Sequence, residues 1–365
     1  MVIAGIMTGT SVDAIDMAIC EISNKGDRHM VSLCSFETRP FSDDTRELIM
    51  RALAGSASME ELCDLPFFLA RDYAAVVRER SFSEPLSGVA IHGQTLWHHP
   101  PVSTWQAASG PALAALLSIP VIHDFRSADI ALGGQGAPLV PVFDAATLVH
   151  PTVDRVALNV GGMANITILP RNASTVDVWA FDTGPGNVWI DAGIRSTFGK
   201  RYDTDGHIGR AGRVIPPMFQ ECTSFPYYNQ DPPKSTGREL FSESEARRLI
   251  TKYSHPSSPL EDVVTTMTEV TAWSVADHIK RYAPTTTEIL VSGGGSQNSY
   301  LLERIGVLLR EAGVEATIVV HEHWNAKEAM AFAYLGWRTI NGLPGNLPRV
   351  TGASRAVVLG SIAKA

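Results

Sequence analysis

The most constraining feature of this sequence is a series of short apolar runs, each of which ends in a turn of small residues. Residues 2–7 are apolar and a Thr-Gly-Thr-Ser turn follows. Large apolar residues, Ile15, Met17 and Ile19, then alternate with Asp16, Ala18 and Cys20. The same plan returns over 156–169 with few residue identities in common. Alternation with a period of two predicts strands, and small polar residues predict tight turns. The sequence therefore predicts two hairpins and a repeat of architecture.

Between and beyond these hairpins, the apolar residues follow helical spacing. The predicted helices are Asp44–Ala54, Pro66–Ser81, Ala112–Leu117, Thr265–Tyr282, Ser299–Ala312 and Ala326–Ile340. Further strands are predicted at Gly88–His92 and Glu288–Ser292, whereas Asp205–Asp231 reads as polar and irregular. Strands that alternate with helices in two sets predict an α/β protein of two lobes. We expect the boundary near 129–136 and a ligand cleft between the lobes.

Composition excludes several classes of function. The 365 residues exceed one average domain, and 45% apolar with 19% charged residues is a globular composition. The net charge of −8 provides no basic surface for nucleic acid and no polybasic segment for a membrane. The longest apolar stretch, 110–122, is interrupted by two prolines and is too short to span a bilayer.

The expected compartment is the cytoplasm. The N-terminus has no basic region followed by an apolar core, so we predict no signal peptide. Cys20, Cys34, Cys63 and Cys222 are scattered without a CxxC pair. Such cysteines are typical of free thiols in a reducing compartment.

The segment Gly5–Asp16 is the first candidate for phosphate binding. Small residues in its turn allow backbone N–H groups to approach a phosphate, and the Thr and Ser hydroxyls add donors. Asp13, just beyond the turn, is placed to hold Mg²⁺ directly or through water. The alternative is a hairpin turn in which Gly and Thr serve conformation alone.

Two further glycine turns follow predicted strands. Gly161-Gly162, with Asn165, lacks the full GxGxxG of a dinucleotide fold and the Gly-Lys-Ser/Thr of a P-loop, but offers backbone donors to a second phosphate. Gly293-Gly294-Gly295 separates a strand from a helix, which places bare backbone beside a flat or anionic group. Asn298 either belongs to this site or is the N-cap of the helix.

Asp182 is the candidate general base. It follows a short apolar run and precedes Gly184-Pro185-Gly186, a turn that leaves its carboxylate at a strand end. A carboxylate in this position accepts a proton from water if its pKa suits the task. The alternative is that Asp182 caps the helix predicted to start near Asn187.

Polar clusters elsewhere suit a sugar, because each sugar hydroxyl both donates and accepts hydrogen bonds. The candidates are His92, Gln94, Asp124, Arg126, Gln135 and Glu328. The pair His98-His99 lies near Pro100-Pro101 without further metal-ligand spacing and favours a loop over zinc. A Gly-x-Ser-x-Gly elbow is absent, so this type of serine hydrolase is not indicated.

Taken together, these segments resemble the anhydro-N-acetylmuramic acid kinase family, of which levoglucosan kinase is a relative. The matching segments occur in the family's order and are 5–16, 92–95, 124–138, 159–165, 181–192, 233–239, 292–298 and 342–348 with 351–353. The resemblance implies a two-lobed fold like that of the sugar kinase, Hsp70 and actin superfamily (ribonuclease H-like), with an interlobe cleft that closes on ATP and Mg²⁺. It also implies a homodimer.

The resemblance also implies roles for particular residues. Asp182 matches the family's catalytic base, and Asp13 and Glu328 match carboxylates near the metal and the sugar. The residues that match the ATP-phosphate turn are Gly9, Thr10, Ser11, Val12, Asp13, Ala14, Ile15 and Asp16. We expect an N-terminal lobe over 1–130, a C-terminal lobe over 131–350, and a tail over 351–365 that returns to the first lobe.

The implied reaction opens a 1,6-anhydro sugar during cell-wall sugar recycling. The bridge ties C1 to O6, so O6 carries no proton. Water activated by Asp182 attacks C1, and the γ-phosphoryl group of ATP captures the departing O6, the role that a general acid has in an inverting glycosidase. One carboxylate is then sufficient.

The sequence departs from the family's pattern at a few positions: Ala14 in the phosphate turn, Ala108 and Ser109, and Ser127 with Ala128. These changes bear on the identity of the sugar more than on the reaction. Anhydro-N-acetylmuramic acid is the first candidate substrate and levoglucosan the second. A non-catalytic ATP-binding relative is the alternative class, and a dinucleotide oxidoreductase is disfavoured because a full fingerprint is lacking.

Overall fold

The computed structural model describes residues 1–9, 12, 14–25, 28–80, 84–237, 239–255 and 259–365. The chain divides into two compact units. Unit 1 comprises residues 1–147 and 326–365, and unit 2 comprises residues 148–325. This division differs from the expected one: residue 130 lies inside a helix rather than at a boundary, and residues 326–350 belong to unit 1.

The first segment of unit 1 contains seven strands and five helices among its described residues. The strands are β1 (Val2–Thr8), β2 (Ile15–Lys25), β3 (Arg28–Arg39), β4 (Gly88–Ile91), β5 (Gln94–His99), β6 (Ser103–Ala107) and β7 (Val121–His123). The helices are α1 (Asp43–Leu53), α2 (Met59–Arg78), α3 (Gly110–Leu117), α4 (Ser127–Ala131) and α5 (Pro141–Leu148).

Unit 2 and the returning segment of unit 1 follow. The strands of unit 2 are β8 (Arg155–Val160), β9 (Met163–Leu169), β10 (Trp179–Pro185), β11 (Glu288–Ser292) and β12 (Thr317–Val320). Its helices are α6 (Asn187–Phe198), α7 (His207–Ala211), α8 (Pro216–Thr223), α9 (Glu243–Tyr253), α10 (Glu261–Tyr282) and α11 (Ser299–Glu311). The returning segment adds α12 (Lys327–Ile340), α13 (Pro348–Thr351) and β13 (Ser361–Ala363).

The main sheets of the two units share one plan. In unit 1, β1, β2 and β3 form an antiparallel meander, β4 and β7 run parallel to β1, and the order is β13-β7-β4-β1-β2-β3. In unit 2, β8, β9 and β10 form the meander, and β11 and β12 run parallel to β8. This is the strand order of the ribonuclease H-like fold. It confirms the predicted α/β class and the predicted repeat of architecture.

Close packing against α12 explains why the returning segment belongs to unit 1. A Cβ atom added at Gly5, in the middle of β1, would lie 2.0 Å from the Ala329 carbonyl oxygen and 2.4 Å from the Ala333 backbone nitrogen. The helix and the strand therefore meet backbone to backbone. The tail continues the same unit, since β13 pairs with β7.

Helix α10 is almost entirely buried, although it carries several threonines. The hydroxyls of Thr265, Thr266 and Thr268 donate to the carbonyl oxygens four residues earlier, at 2.9, 2.7 and 2.9 Å. The helix thereby satisfies polar groups that burial would otherwise penalise. The apolar residues of its second half, from Ala272 to Ile279, pack against the unit 2 sheet, which carries the candidate base.

Two predictions of local structure are wrong. Helix α2 begins at Met59 rather than Pro66, because Ser58 and Glu61 form a capping box and Pro66 is accommodated inside the helix. The region predicted to be irregular, 205–231, contains α7 and α8, with polar side chains on their exposed faces. Among the described helices, none combines the length and apolarity needed to cross a bilayer.

Candidate active site

Asp182 lies in a row of polar residues that crosses four strands of unit 2. Strand pairing places Asp182 opposite Asn165, Asn165 opposite Asn159, and Asn159 opposite Ser292. Directly paired residues share a face of the sheet, with Cβ atoms about 5 Å apart. The sheet therefore gathers one carboxylate, two amides and a hydroxyl along one line.

The backbone of segment 234–236 holds the Asp182 residue in place. The Thr236 backbone N–H donates to Asp182 Oδ2 at 2.8 Å, and the Asp182 N–H donates to the Lys234 carbonyl oxygen at 3.4 Å. The Tyr227 hydroxyl donates to the Asp182 carbonyl oxygen at 2.6 Å. Because α6 has Gly186 as its N-cap, with no side-chain cap bond, the alternative that Asp182 caps this helix is wrong.

The electrostatic setting of Asp182 suits proton transfer near neutral pH. Burial raises the pKa of the carboxyl from 3.8 to about 7, opposed by the Thr236 hydrogen bond and reinforced by the negative charge of Glu239. The residue as a whole is half-buried. A carboxyl group that titrates near pH 7 has the pKa suited to a general base.

The turn between β8 and β9 is closed by the N-terminus of α6. The Gly162 carbonyl oxygen accepts from the N–H groups of Gly186 at 2.8 Å and Val188 at 3.1 Å, and the Gly161 carbonyl oxygen accepts from Asn187 N–H at 2.8 Å. These donors of α6 are therefore used within the protein. The Gly161 N–H is also used, since it donates to the Met163 carbonyl oxygen at 3.1 Å. A phosphate contact at this turn would therefore come from the Gly162 backbone, where a Cβ would meet no atom within 4 Å.

Three consecutive glycines follow β11: Gly293 precedes a short 3₁₀ turn, Gly294–Gln297, that contains the other two. The turn packs against the C-terminal end of β8. Gly293 has φ +80°, and a Cβ there would lie 2.6 Å from Asn159 Oδ1. A Cβ at Gly295 would lie 2.3 Å from Val160 Cγ1, whereas Gly294 faces open space apart from the Asn187 side chain at 3.9 Å. Close approach therefore explains two of the glycines, and Gly294 presents bare backbone.

Asn298 is the N-cap of α11, since its Oδ1 accepts from Leu301 N–H at 2.9 Å. Of the two predicted roles, the structural one is present. The side chain is buried.

In unit 1, the turn after β1 is described in part. Thr10, Ser11 and Asp13 lie outside the described residues. The Val12 N–H donates to the Gly9 carbonyl oxygen at 3.2 Å, and the Gln94 side-chain amide donates to the same oxygen at 3.3 Å. Val12 and Ile15 point into the hydrophobic core, so only their backbones remain for a ligand. Val12 has φ 57°, a strained conformation for a β-branched residue that is typical of ligand-binding turns.

His92 and Arg126 form the centre of the polar cluster in unit 1. His92 Nε2 accepts from Arg126 Nη2 at 2.8 Å and from Nε at 3.2 Å. Burial, with the neighbouring guanidinium, lowers the pKa of His92 well below 6.5, so its ring is neutral. Burial also lowers the pKa of Arg126 to about 10, and the charges of Glu328 and Asp129 oppose that effect.

Glu328 and Asp16 form an acidic pair beside this cluster. Surrounding protein atoms and the Asp16 carboxylate raise the pKa of Glu328, the exposed residue in the otherwise buried first turn of α12. Burial raises the pKa of Asp16, although its carboxylate accepts from the Thr38 hydroxyl at 2.7 Å. A carboxylate whose ionisation is disfavoured by a neighbouring carboxylate provides a setting for a divalent cation.

Asp124 and Gln135 flank Arg126 in the sequence. Asp124 has φ 58°, and its Oδ1 accepts from the Ser127 hydroxyl at 2.6 Å at the start of α4. Its side chain is exposed. The Gln135 backbone N–H donates to the Thr351 carbonyl oxygen at 2.8 Å, which joins its segment to α13.

Sequence reasoning missed Asp129, the residue that organises this segment. Its buried carboxylate accepts from Gly136 N–H, the Asn346 amide and the Thr351 hydroxyl, each at 2.7 Å. A Cβ at Gly134 would lie 2.1 Å from the same carboxylate, so the glycines of 133–136 wrap around it. Asn159 and Ser292 were also missed as site residues, because their alignment with Asp182 exists only through strand pairing.

The described residues fit a Mg²⁺ ion that is held mainly through a nucleotide. They contain no group of three or more His, Cys, Asp or Glu side chains arranged for a metal. Mg²⁺ commonly binds one or two protein carboxylates together with substrate phosphates, and the Asp16–Glu328 pair supplies two.

Comparisons with known proteins agree with one another on the family. The chain matches the family model described as anhydro-N-acetylmuramic acid kinase over residues 1–365. It is 38% identical over 379 aligned positions to an anhydro-N-acetylmuramic acid kinase of Bacillus cereus (strain AH820), with 99% of each chain covered.

Solved structures align at low similarity. One is the activator of 2-hydroxyisocaproyl-CoA dehydratase from Clostridium difficile with bound ADPNP, at 14% identity and a TM-score of 0.45, covering 93% of this chain and 97% of that one. Another is a ROK family glucokinase from Streptomyces griseus with glucose and AMPPNP, at 13% identity and a TM-score of 0.39, covering 92% and 99%. The full-length match and the identity to the Bacillus relative show that the chain belongs to the anhydro-N-acetylmuramic acid kinase family.

Proposed function

We propose that this chain is an ATP-dependent kinase that hydrolytically opens 1,6-anhydro-N-acetylmuramic acid and phosphorylates its O6. Membership of the family supports the substrate and the use of ATP. The observation that carries the chemistry is the environment of Asp182, whose carboxylate is held by the Thr236 N–H and has a pKa of about 7.

In the proposed reaction, Asp182 acts as the general base. A water molecule gives its proton to the carboxylate as its oxygen bonds to C1 of the sugar. The C1–O6 bond breaks, and O6 takes up the γ-phosphoryl group as ADP leaves. The product is the 6-phosphosugar with the water oxygen at C1. Proton transfer to Asp182 makes the rate depend on the ionised fraction of this group, so we expect the rate to rise with pH through about 7.

The remaining groups have proposed roles in binding. The backbone around Gly9 and Val12, the Gly161-Gly162 turn and Gly293-Gly294-Gly295 would contact ATP phosphates and nucleotide. In unit 1, His92, Gln94, Asp124, Arg126, Gln135 and Glu328 would bind sugar hydroxyls and the acid group. Mg²⁺ bound with ATP would neutralise phosphate charge, and Asp13, Asp16 and Glu328 are the proposed carboxylates for it.

The decisive experiment follows two oxygen atoms, the sugar O6 and the oxygen of the attacking water. Purified protein is incubated with ATP and 1,6-anhydro-N-acetylmuramic acid in ¹⁸O-labelled water, and the product is analysed by mass spectrometry. We expect phosphate at O6 and the label at the anomeric hydroxyl. Levoglucosan and ring-opened N-acetylmuramic acid, supplied separately, test the choice of sugar.

Asp182→Asn is the matched variant. It should lower turnover by a factor of at least about 10³ while leaving the dissociation constant for ATP nearly unchanged. Turnover at the rate of the unmodified chain would exclude Asp182 as the base. Nucleotide binding without sugar-dependent ADP release would instead favour a non-catalytic relative.

We also propose that the chain acts as a cytoplasmic homodimer, in line with the family resemblance. All four cysteines are free thiols, as a reducing compartment allows. Size-exclusion chromatography with light scattering would test the oligomeric state.

A further inference from the structure

Lys234 is a buried lysine behind the candidate base. Its ammonium group donates to the Tyr227 carbonyl oxygen at 3.2 Å and contacts His278 Nε2 at 2.7 Å. It also lies 4.7 Å from the centre of the Tyr227 ring, which adds a cation–π contact. A buried ammonium requires such partners, because leaving water is costly for a charge.

His278 is placed to accept a hydrogen bond from this ammonium. Its Nδ1 lies 2.6 Å from the Ser274 carbonyl oxygen, an acceptor, so Nδ1 carries the proton. Burial lowers the pKa of His278 to about 3, which leaves Nε2 with a free lone pair at neutral pH. The Nε2–Nζ contact is therefore a hydrogen bond from the lysine to a neutral ring.

The same lysine belongs to the segment that holds Asp182. The Lys234 carbonyl oxygen accepts from Asp182 N–H, and two residues later the Thr236 N–H donates to the carboxylate. Tyr227, whose carbonyl oxygen accepts from Lys234, uses its hydroxyl to bind the Asp182 carbonyl oxygen. One chain of contacts thus runs from α10 through Lys234 to both ends of the Asp182 residue.

We infer that His278 and Lys234 are positioning residues for Asp182: His278 anchors the Lys234 ammonium, and Lys234 fixes the segment that orients the carboxylate and supplies positive charge behind it. This inference rests on the proposed function only for its consequence on turnover. The effect on the ionisation of Asp182 is expected whatever the substrate.

The other charged groups around Lys234 set the background for this effect. Burial and the Arg281 guanidinium lower the pKa of Lys234 to about 8, whereas Asp277, Asp231 and Asp182 raise it. Glu239 faces Asp182 and raises the pKa of that carboxyl, whereas Lys234 lowers it. Removal of the ammonium should therefore move the titration of Asp182 upward.

The first test needs no substrate. The full-length chain is labelled with ¹³C at aspartate carboxyl carbons, and the Asp182 signal, assigned by its loss in Asp182→Asn, is followed against pH by NMR. Lys234→Met should raise the titration midpoint by about one pH unit. His278→Phe keeps a ring beside Tyr282 and Phe181 but removes the acceptor, so it should move the midpoint in the same direction.

Two variants serve as controls. His278→Gln retains a side-chain acceptor and should restore the midpoint of the unmodified chain. Lys280→Met removes an exposed lysine from the same helix and should leave the midpoint unmoved. If Lys234→Met does not fold, His278→Phe and His278→Gln carry the test alone.

Turnover is the second readout. With 1,6-anhydro-N-acetylmuramic acid and ATP, His278→Phe should reduce kcat about 10- to 100-fold, with a small change in KM for ATP, and shift the pH–rate profile upward. If the titration midpoint of Asp182 is unchanged in both Lys234→Met and His278→Phe, the inference is overturned even if the enzyme is active. If the unmodified chain shows no activity with this sugar and ATP, but the Asp182 midpoint shifts in the variants, the proposed function is overturned and the inference stands.

Discussion

At the scale of single residues, Asp182 shows how a fold adjusts one functional group. Its neighbours disfavour the charged form by burial and by the proximity of Glu239, whereas the Thr236 N–H and the Lys234 ammonium favour it. The group therefore holds its proton to higher pH than a carboxyl in water. This adjustment has a thermodynamic consequence, because protons bound differently by the folded and unfolded chain link stability to pH.

The first prediction concerns that linkage. The folded pKa of about 7 exceeds the unfolded value near 3.8, so the folded chain binds more protons between these values and loses stability as pH rises through this window. Asp182→Asn cannot ionise and should raise the free energy of unfolding by up to about 4 kcal/mol at pH 8, and by roughly two fifths of that at pH 5. Melting temperatures at both pH values measure the effect.

The control for this prediction is Asp64→Asn, which removes one negative charge from an exposed position on α2. An equal change in stability for both variants at pH 8 would show that net charge, rather than the environment of Asp182, is responsible.

At the scale of elements, the contact between β1 and α12 depends on one missing side chain. Gly5 lets the helix backbone approach the strand more closely than any other residue would. We predict that Gly5→Ala destabilises the chain by about 1–3 kcal/mol, because helix and strand must separate to admit the methyl group. The measurement is denaturant unfolding monitored by circular dichroism.

Gly306→Ala is the matched variant for this experiment. Its added Cβ would meet Arg310 Nη1 at 3.4 Å and Ile318 Cδ1 at 3.6 Å, which are ordinary contacts. In the middle of α11, alanine is favoured over glycine by about 0.5–1 kcal/mol. A loss of stability there as large as at Gly5 would argue against the close approach as the cause.

The sequence predicted the elements with strong local signals. The apolar runs of β1, β8 and β11 and the periodic helices α10 and α12 are confirmed at their expected places. Helix α2 started earlier than predicted, because the capping box outweighed the proline as a start signal. Strand β3 was not predicted, since it lies at the edge of the sheet and has no continuous buried face to mark it.

The candidate site was predictable where glycines and carboxylates follow strands, and Asp182 is the example. Asp129 shows the limit: its partner Thr351 lies 222 residues further along the chain, so no local pattern reveals the bond. Lys234 and His278 are hidden for the same reason, since they lie 44 positions apart in the sequence. Such groups are identified only after folding has brought distant segments together.

At the scale of the whole molecule, the chain leaves unit 1 through α5 and returns to it at α12. A fully buried ion pair joins these two helices: Lys327 Nζ lies 2.8 Å from Asp144 Oδ1, and the side chains are 4% and 3% exposed. The pair thus links α5, where the chain leaves unit 1, to α12, where it returns. Its charges have left water, so each depends on the other.

We predict that either Asp144→Leu or Lys327→Met alone destabilises the chain by about 3–5 kcal/mol, because one buried charge loses its partner. The double variant should recover most of that loss, since both charges are removed together. Urea unfolding of the four proteins gives the coupling energy. Additive losses in the double variant would show that the two side chains act independently.

The interrupted sequence of unit 1 also has a consequence for how the protein is made. The core of unit 2 is formed within residues 148–325. In unit 1, by contrast, β1 packs against α12 and β7 pairs with β13, and both partners are translated after unit 2. On the ribosome, unit 2 can therefore finish folding before unit 1. Residues 1–147 keep an unfinished apolar surface until residues 326–365 have been translated, which makes them the part most dependent on protection by chaperones.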